Sequence, residues 1–153
     1  MIVCLYVDDL VLTGNLSVDD FKTAMKTEFE MTDLGMMKYF LGIEVDQSDG
    51  GIFICQTKYA CEILKRFRMQ NCKPAATPMV TGTKLSKYDE GSYVDPTLYK
   101  KLVGSLMYLT ATRPDIMFVV SLISRFMESP KSTHWQAGKR ILRYIAGKTN
   151  FGI

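Results

Sequence analysis

Asp8 and Asp9 stand side by side between two β-prone apolar runs, residues 2–7 and 10–13, with Tyr6 and Val7 immediately before them. Strand-forming residues on both sides of an acidic turn predict a tight β-hairpin with the carboxylates at its tip. The six residues before the pair can form a buried strand, which would hold both anions rigidly at one edge of a sheet. Carboxylates that close repel one another unless a cation neutralises them. Oxygen donors without an accompanying His or Cys suit Mg²⁺ or Mn²⁺ rather than zinc. The same pair also fits a solvated turn with no ligand, so the residue types alone leave both readings open.

The elements that must position this hairpin follow in order. Ser17 is a good helix N-cap with Asp20 in the first turn, and Val18, Phe21, Met25 and Phe29 recur at helical spacing. This predicts an amphipathic helix packed on the sheet. Asp19 and Asp20 repeat the acid pair, but at a helix start they read as cap and dipole partners. Two β-prone runs flank Asp49-Gly50-Gly51 and predict a second hairpin, with Leu41 and Gly42 inside its first arm. Ala60, Ile63, Leu64 and Phe67 then mark one face of a helix over residues 56–67.

Residues 74–96 are rich in Pro, Gly, Ser, Thr and Lys without periodicity, which marks a long surface loop or linker. Three helices are expected beyond it. The first covers residues 98–109 and stops near Thr112, because the residue before Pro114 avoids the helical region. The second covers residues 116–127, opened by Pro114 and Asp115. The third covers residues 134–147, with Lys139, Arg140 and Arg143 forming a basic patch. Gly104, inside the first, costs about 1 kcal/mol of helix stability relative to Ala; approach to another surface and close helix packing would each explain it. His134 has no acid or nucleophile at an informative spacing and reads as a packing or capping residue.

A chain of 153 residues, 47% hydrophobic and 23% charged, has room for one modest domain or two small lobes. It has no apolar run of 18 residues and no basic region leading to a cleavage site, so the expectation is a soluble intracellular protein without a membrane span. Cys4, Cys55, Cys61 and Cys72 show neither a Cys-x-x-Cys pair nor a metal spacing with His134, which points to reduced, packed thiols. Charge divides along the chain: residues 1–56 carry ten acids against three lysines, while residues 57–153 carry sixteen Lys and Arg against six acids. That asymmetry suits a phosphate-binding surface beside an acidic metal site, and equally a set of ordinary solvated helices.

Tyr6-Val7-Asp8-Asp9 resembles the Tyr-x-Asp-Asp motif of reverse transcriptases, and the continuation to Asn15 is similar to the Ty1/copia class of retrotransposon polymerases. The likeness continues in order along the chain. It includes Asp33-Leu34-Gly35, Tyr39-Phe40-Leu41-Gly42-Ile43-Glu44-Val45, the Gln56-x-x-Tyr59 helix and Leu102-Val103-Gly104-x-Leu106. It ends with His134-Trp135 followed by Lys139-Arg140-Ile141-Leu142-Arg143-Tyr144. Copia-type proteins usually continue with Lys-Gly-Thr where this chain has Ala146-Gly147-Lys148.

The resemblance implies an α+β fold: a partial reverse-transcriptase palm of antiparallel hairpins and helices over residues 1–73, a linker over 74–96, and a helical thumb-like lobe over 97–153. By the same resemblance Asp8 and Asp9 are the catalytic ligands of Mg²⁺ or Mn²⁺, with Tyr6 and Val7 against nucleic acid beside them. Leu41 and Gly42 lie near the primer backbone, while Lys100, Gly104 and Tyr108 sit on a helix tracking the minor groove of an RNA/DNA template-primer duplex. The full-length family uses dNTP as substrate.

Two-metal nucleotidyl transfer needs carboxylates that bridge both ions, and the family takes one of them from a strand upstream of the hairpin. That aspartate, the fingers, the ribonuclease H acids and the protease and integrase signatures all fall outside these 153 residues. The expectation is therefore a C-terminal palm and thumb piece of an RNA-directed DNA polymerase that does not polymerise alone. The competing expectation is a basic nucleic-acid-binding remnant, or a domesticated or degenerate transposon product without catalysis. Residues 2–7 and 10–12, left without a neighbouring strand, predict self-association through an exposed apolar edge.

Overall fold

The computed structural model describes residues 1–14 and 18–153; the cap expected at Ser17 lies outside the described residues. Among the described residues the architecture is mixed, with two small antiparallel sheets and five helices. It divides into two compact units, Met1–Lys38 and Tyr39–Ile153.

In the first unit, β1 (Ile2–Tyr6) pairs antiparallel with β2 (Asp9–Thr13) in the register Ile2↔Thr13 through Tyr6↔Asp9. Alternating β-branched, leucine and aromatic residues favour this ribbon. The strand forms as expected but it is not buried: all five β1 residues are exposed, Ile2 at 68% and Leu5 at 69%. Helix α1 (Val18–Glu28) follows, with Asp19 and Asp20 in its first turn. None of its residues is buried, and Phe29 just beyond it is 58% exposed. The expected helix is present, but its apolar stripe is not a core. A two-stranded ribbon and one helix have too little surface to cover one another.

The second unit begins with a three-stranded sheet, β3 (Tyr39–Phe40), β4 (Ile43–Ser48) and β5 (Gly51–Cys55), in that order. The hairpin expected at Asp49-Gly50-Gly51 joins β4 to β5, closed by the pair Ser48↔Gly51. The run read as one arm of that hairpin breaks in two, because Leu41 and Gly42 both take positive φ (47° and 79°) and reverse the chain between Phe40 and Ile43. Positive φ at both central positions is the two-residue turn whose twist matches antiparallel strands. On the far side of β5, Gly152 pairs with Cys55, and Ile54 and Ile153 exchange both backbone hydrogen bonds, at 2.8 and 3.0 Å.

Four helices pack around one core: α2 (Thr57–Arg66), α3 (Pro96–Leu109), α4 (Pro114–Ser124) and α5 (Ser132–Ala146). Ile63, Leu102, Val103, Leu106, Ile116, Ile123, Ile141, Leu142 and Ile145 are completely buried. Gly138 lets α5 approach α3, since a Cβ there would stand 2.6 Å from Leu102 Cδ2. The buried Tyr99 hydroxyl donates to Ile123 O at 2.9 Å, and burial pushes its ionisation upward. The segment between α2 and α3 is irregular, as expected, yet bonded to α5 at intervals. Ala75 N donates to Arg143 O at 3.1 Å, Arg143 Nε to Lys73 O at 2.8 Å, and Ser132 N to Ser92 O at 2.9 Å.

Candidate functional site

The acid pair is set by a two-residue turn. Tyr6 and Asp9 are the last paired residues of the ribbon, so Val7 and Asp8 make the reversal and Asp9 already belongs to β2. Val7 has φ 53°, a left-handed conformation that β-branched residues rarely adopt. Its cost is of order 1–2 kcal/mol, and such outliers concentrate at functional sites. Both carboxylates are exposed at this end of the hairpin, beside the half-exposed Tyr6 and the exposed Val7. Among the described residues no three His, Cys, Asp or Glu side chains group as metal ligands. Asp8 and Asp9 by themselves therefore do not fit a two-metal centre, whose ions need further bridging oxygens.

A second constellation lies in the other unit. The Leu41-Gly42 turn is held against the C-terminal half of α3, where the Tyr108 hydroxyl donates to Leu41 O. A side chain on Gly42 would collide with that hydroxyl. Tyr59 of α2 meets Tyr108 edge to face, with ring centroids 4.7 Å apart. Behind the turn, Lys58 N donates to the Glu44 carboxylate at 2.8 Å, and Lys58 Nζ lies 5.2 Å from the Tyr39 ring centroid. Lys100, Gly104 and Tyr108 recur every fourth residue on the exposed face of α3, with Lys101 beside them. A Cβ at Gly104 would meet nothing within 4 Å, so helix packing does not explain this glycine. Of the residues expected to touch nucleic acid, Leu41, Gly42 and Tyr108 are thus in contact, and Lys100 and Gly104 share the α3 face with Tyr108.

Arg113 went unremarked in the sequence except as the residue before Pro114. Its guanidinium is buried, bonded to both Asp115 carboxylate oxygens at 2.9 and 2.8 Å and to Lys148 O at 2.8 Å. Burial raises the Asp115 pKa, but the Arg113 hydrogen bonds and charge outweigh it and bring the carboxyl below its ordinary value. This cluster pins the α3–α4 corner to the end of α5. The short spacing Arg-Pro-Asp was the available signal. His134 is buried and capping: Nδ1 accepts from Lys131 N at 3.0 Å, which leaves Nε2 to donate to Ser86 O at 3.0 Å.

The family model for reverse transcriptase (RNA-dependent DNA polymerase) matches residues 1–81, more than half of the chain, and the chain belongs to that family. Its relatives include Pol polyproteins of copia-type transposons. It is 43% identical over 150 residues to the retrovirus-related Pol polyprotein from transposon RE1 of Arabidopsis thaliana, covering 97% of this chain and 10% of that protein. It is 38% identical over 160 residues to the Pol polyprotein from transposon TNT 1-94 of Nicotiana tabacum, covering 97% and 12%. An uncharacterized mitochondrial protein of Arabidopsis thaliana is 39% identical over 155 residues, covering 100% of this chain and 64% of its own length. The chain thus spans about a tenth of the Pol polyproteins it matches. No solved structure matches it. Among the described residues no helix is long and apolar enough to cross a membrane.

Proposed function

We propose that residues 1–153 are the C-terminal palm and thumb part of a copia-type RNA-directed DNA polymerase, in which Asp8 and Asp9 supply two of the metal-binding carboxylates. The observation that carries this is the Val7-Asp8 turn, which holds the acid pair at the end of a two-stranded ribbon and places a β-branched valine in the left-handed conformation that such turns ordinarily give to Gly or Asn. The division proposed is a palm part over 1–73, a linker over 74–96, inside which the family match ends, and a thumb-like part over 97–153, with α2 of the palm part sharing one core with the thumb-like helices. A Mg²⁺ or Mn²⁺ site here is completed by a carboxylate from outside these residues, and the chain does not polymerise alone. Template-primer duplex and dNTP are its partners in the assembled enzyme. Mn²⁺-dependent primer extension on an RNA template, with Asp8→Ala and Asp9→Ala as controls, tests this reading. The expected result is no extension by the chain itself. Extension that vanishes in both variants would sink the incomplete-centre reading.

A second reading, a nucleic-acid-binding remnant, is favoured by the α3 face, where Gly104 opens onto solvent between Lys100 and Tyr108. The logarithm of the duplex binding constant should then fall linearly with log salt concentration, with a slope of about −0.9 per phosphate contact, and a flat response would remove the interface. The exposed β1 supports self-association through that edge. A monomer at high concentration in sedimentation would argue against it.

A further inference from the structure

We propose that Thr77 is a phosphorylation site whose phosphate is taken by the Arg140 guanidinium, fastening the segment around it to α5. Thr77 lies on the irregular segment between α2 and α3, is exposed, and is followed by Pro78. A threonine before proline is the acceptor type of proline-directed protein kinases, and an exposed stretch outside helix and strand gives such an enzyme room to bind. The Thr77 hydroxyl already accepts a hydrogen bond from Arg140 Nη2 at 3.0 Å. Ser105 also accepts from a guanidinium, Arg66 Nη1 at 3.1 Å, but it is only 6% exposed, out of reach of a kinase.

The Arg140 guanidinium is one acceptor short. Its Nε is buried with no hydrogen-bond partner among the described residues, and such donors are rare in folded chains. In a planar guanidinium the Nε–H and Nη2–H bonds leave one edge side by side, the fork that takes two oxygens of a single carboxylate or phosphate. Arg113 shows that fork filled in this chain, with Nε and Nη2 on the two Asp115 oxygens at 2.9 and 2.8 Å. On Arg140 the same edge holds a neutral hydroxyl at one prong and nothing at the other. A phosphoryl group on Thr77 Oγ1 brings three acceptor oxygens and about 1.5 to 2 negative charges to that edge. Asp89 and Glu90 line a cleft with Arg140, yet among the described residues no carboxylate is in a salt bridge with it. The residues just before Thr77 already run along α5, since Arg143 Nε donates to Lys73 O at 2.8 Å and Ala75 N to Arg143 O at 3.1 Å.

The phosphoryl group comes from a nucleoside triphosphate bound to the kinase. The bond from Thr77 Oγ1 to the γ-phosphorus forms and the bond from that phosphorus to the β–γ bridging oxygen breaks. The hydroxyl proton goes to the kinase's base and the nucleoside diphosphate leaves. Thr77 and Arg140 lie outside the Asp8-Asp9 turn and outside α3, so this inference does not rest on the polymerase reading.

The test treats the whole chain with ATP and a purified proline-directed kinase, maps the phosphate by mass spectrometry and reads the product by NMR. The expected result is phosphate on Thr77, and none in that peptide of Thr77→Val. The second ionisation of the phosphate should fall from its ordinary value of about 6 to about 5, and return to about 6 in Arg140→Gln. The Arg140 Nε–H proton signal should move downfield on phosphorylation, and backbone amides between Ala75 and Val80 should exchange at least about threefold more slowly. No phosphate on Thr77, or a phosphate that titrates at its ordinary value with the Nε–H signal unmoved, overturns the proposal. So does an ionisation lowered equally with and without Arg140. If Arg140→Gln loses its circular dichroism signal, the Nε–H signal of the unaltered chain decides alone.

Discussion

The two units of this chain treat the same kind of residue in opposite ways. Leu5 in β1 is 69% exposed, whereas Leu106 in α3 is completely buried. The unit carrying the acid pair has an apolar ribbon and a helix with no buried residue, while the other holds a continuous core drawn from four helices. Hydrophobic pattern states what a segment can cover, and only the amount of surrounding chain decides whether it does. The ribbon that carries the acid pair is therefore the element least supported by its own unit.

The sharpest way to break this contrast is truncation. Leu106→Ala should destabilise the second unit by about 2–5 kcal/mol, through lost burial and the cavity left behind. Leu5→Ala should stay within about 0.5 kcal/mol. Denaturant unfolding of both variants measures the difference, and equal effects would mean that the ribbon has a core after all. Val7→Gly should favour the first unit's ribbon by about 1 kcal/mol by relieving the left-handed strain, read as slower amide exchange in β1 and β2. Faster exchange would remove strain as the mark of that turn.

The smallest effect is on pH dependence. The lowered Asp115 pKa adds stability that is present above its unfolded value of about 3.9 and is lost as pH falls through the folded value. Asp115→Asn should therefore flatten the acid limb of the second unit's stability curve. Asp33, paired with Lys22 at 3.0 Å, also has a lowered pKa, chiefly from the Gly35 backbone N–H and then Lys22. That pair is exposed to solvent and screened, so Asp33→Asn should leave the acid limb unchanged.

Much of this fold was readable from local pattern. The first hairpin, whose reversal falls at Val7-Asp8 and so one residue before the expected Asp8-Asp9, the Asp49 hairpin, the stop before Pro114 and the capping role of His134 each follow from residues within a few positions of one another. Helix α4 ends at Ser124, three residues before the expected Met127. The Leu41-Gly42 reversal escaped notice although Gly42 interrupts the β-prone run, because a leucine with positive φ carries no local signal; its nearness to Tyr108 depends on a contact 67 residues away. Likewise the attachments of residues 73–92 to α5 span tens of residues and leave no periodic trace. For β1 the expected buried strand failed and the expected exposed apolar edge held, while the packing expected of α1 failed for the same reason, that little of this unit surrounds either element.

The lateral row Tyr39, Glu44, Cys55 and Gly152 runs straight across β3, β4, β5 and the last residues of the chain. At about 4.8 Å per strand spacing, the entry and exit of the second unit stand only some 14–15 Å apart on one small sheet. A linker of about six residues bridges that gap. The start of this unit and residues 152–153 are thus tied to one small sheet beside the helical core, so pulling on either would strain the same few strand pairings.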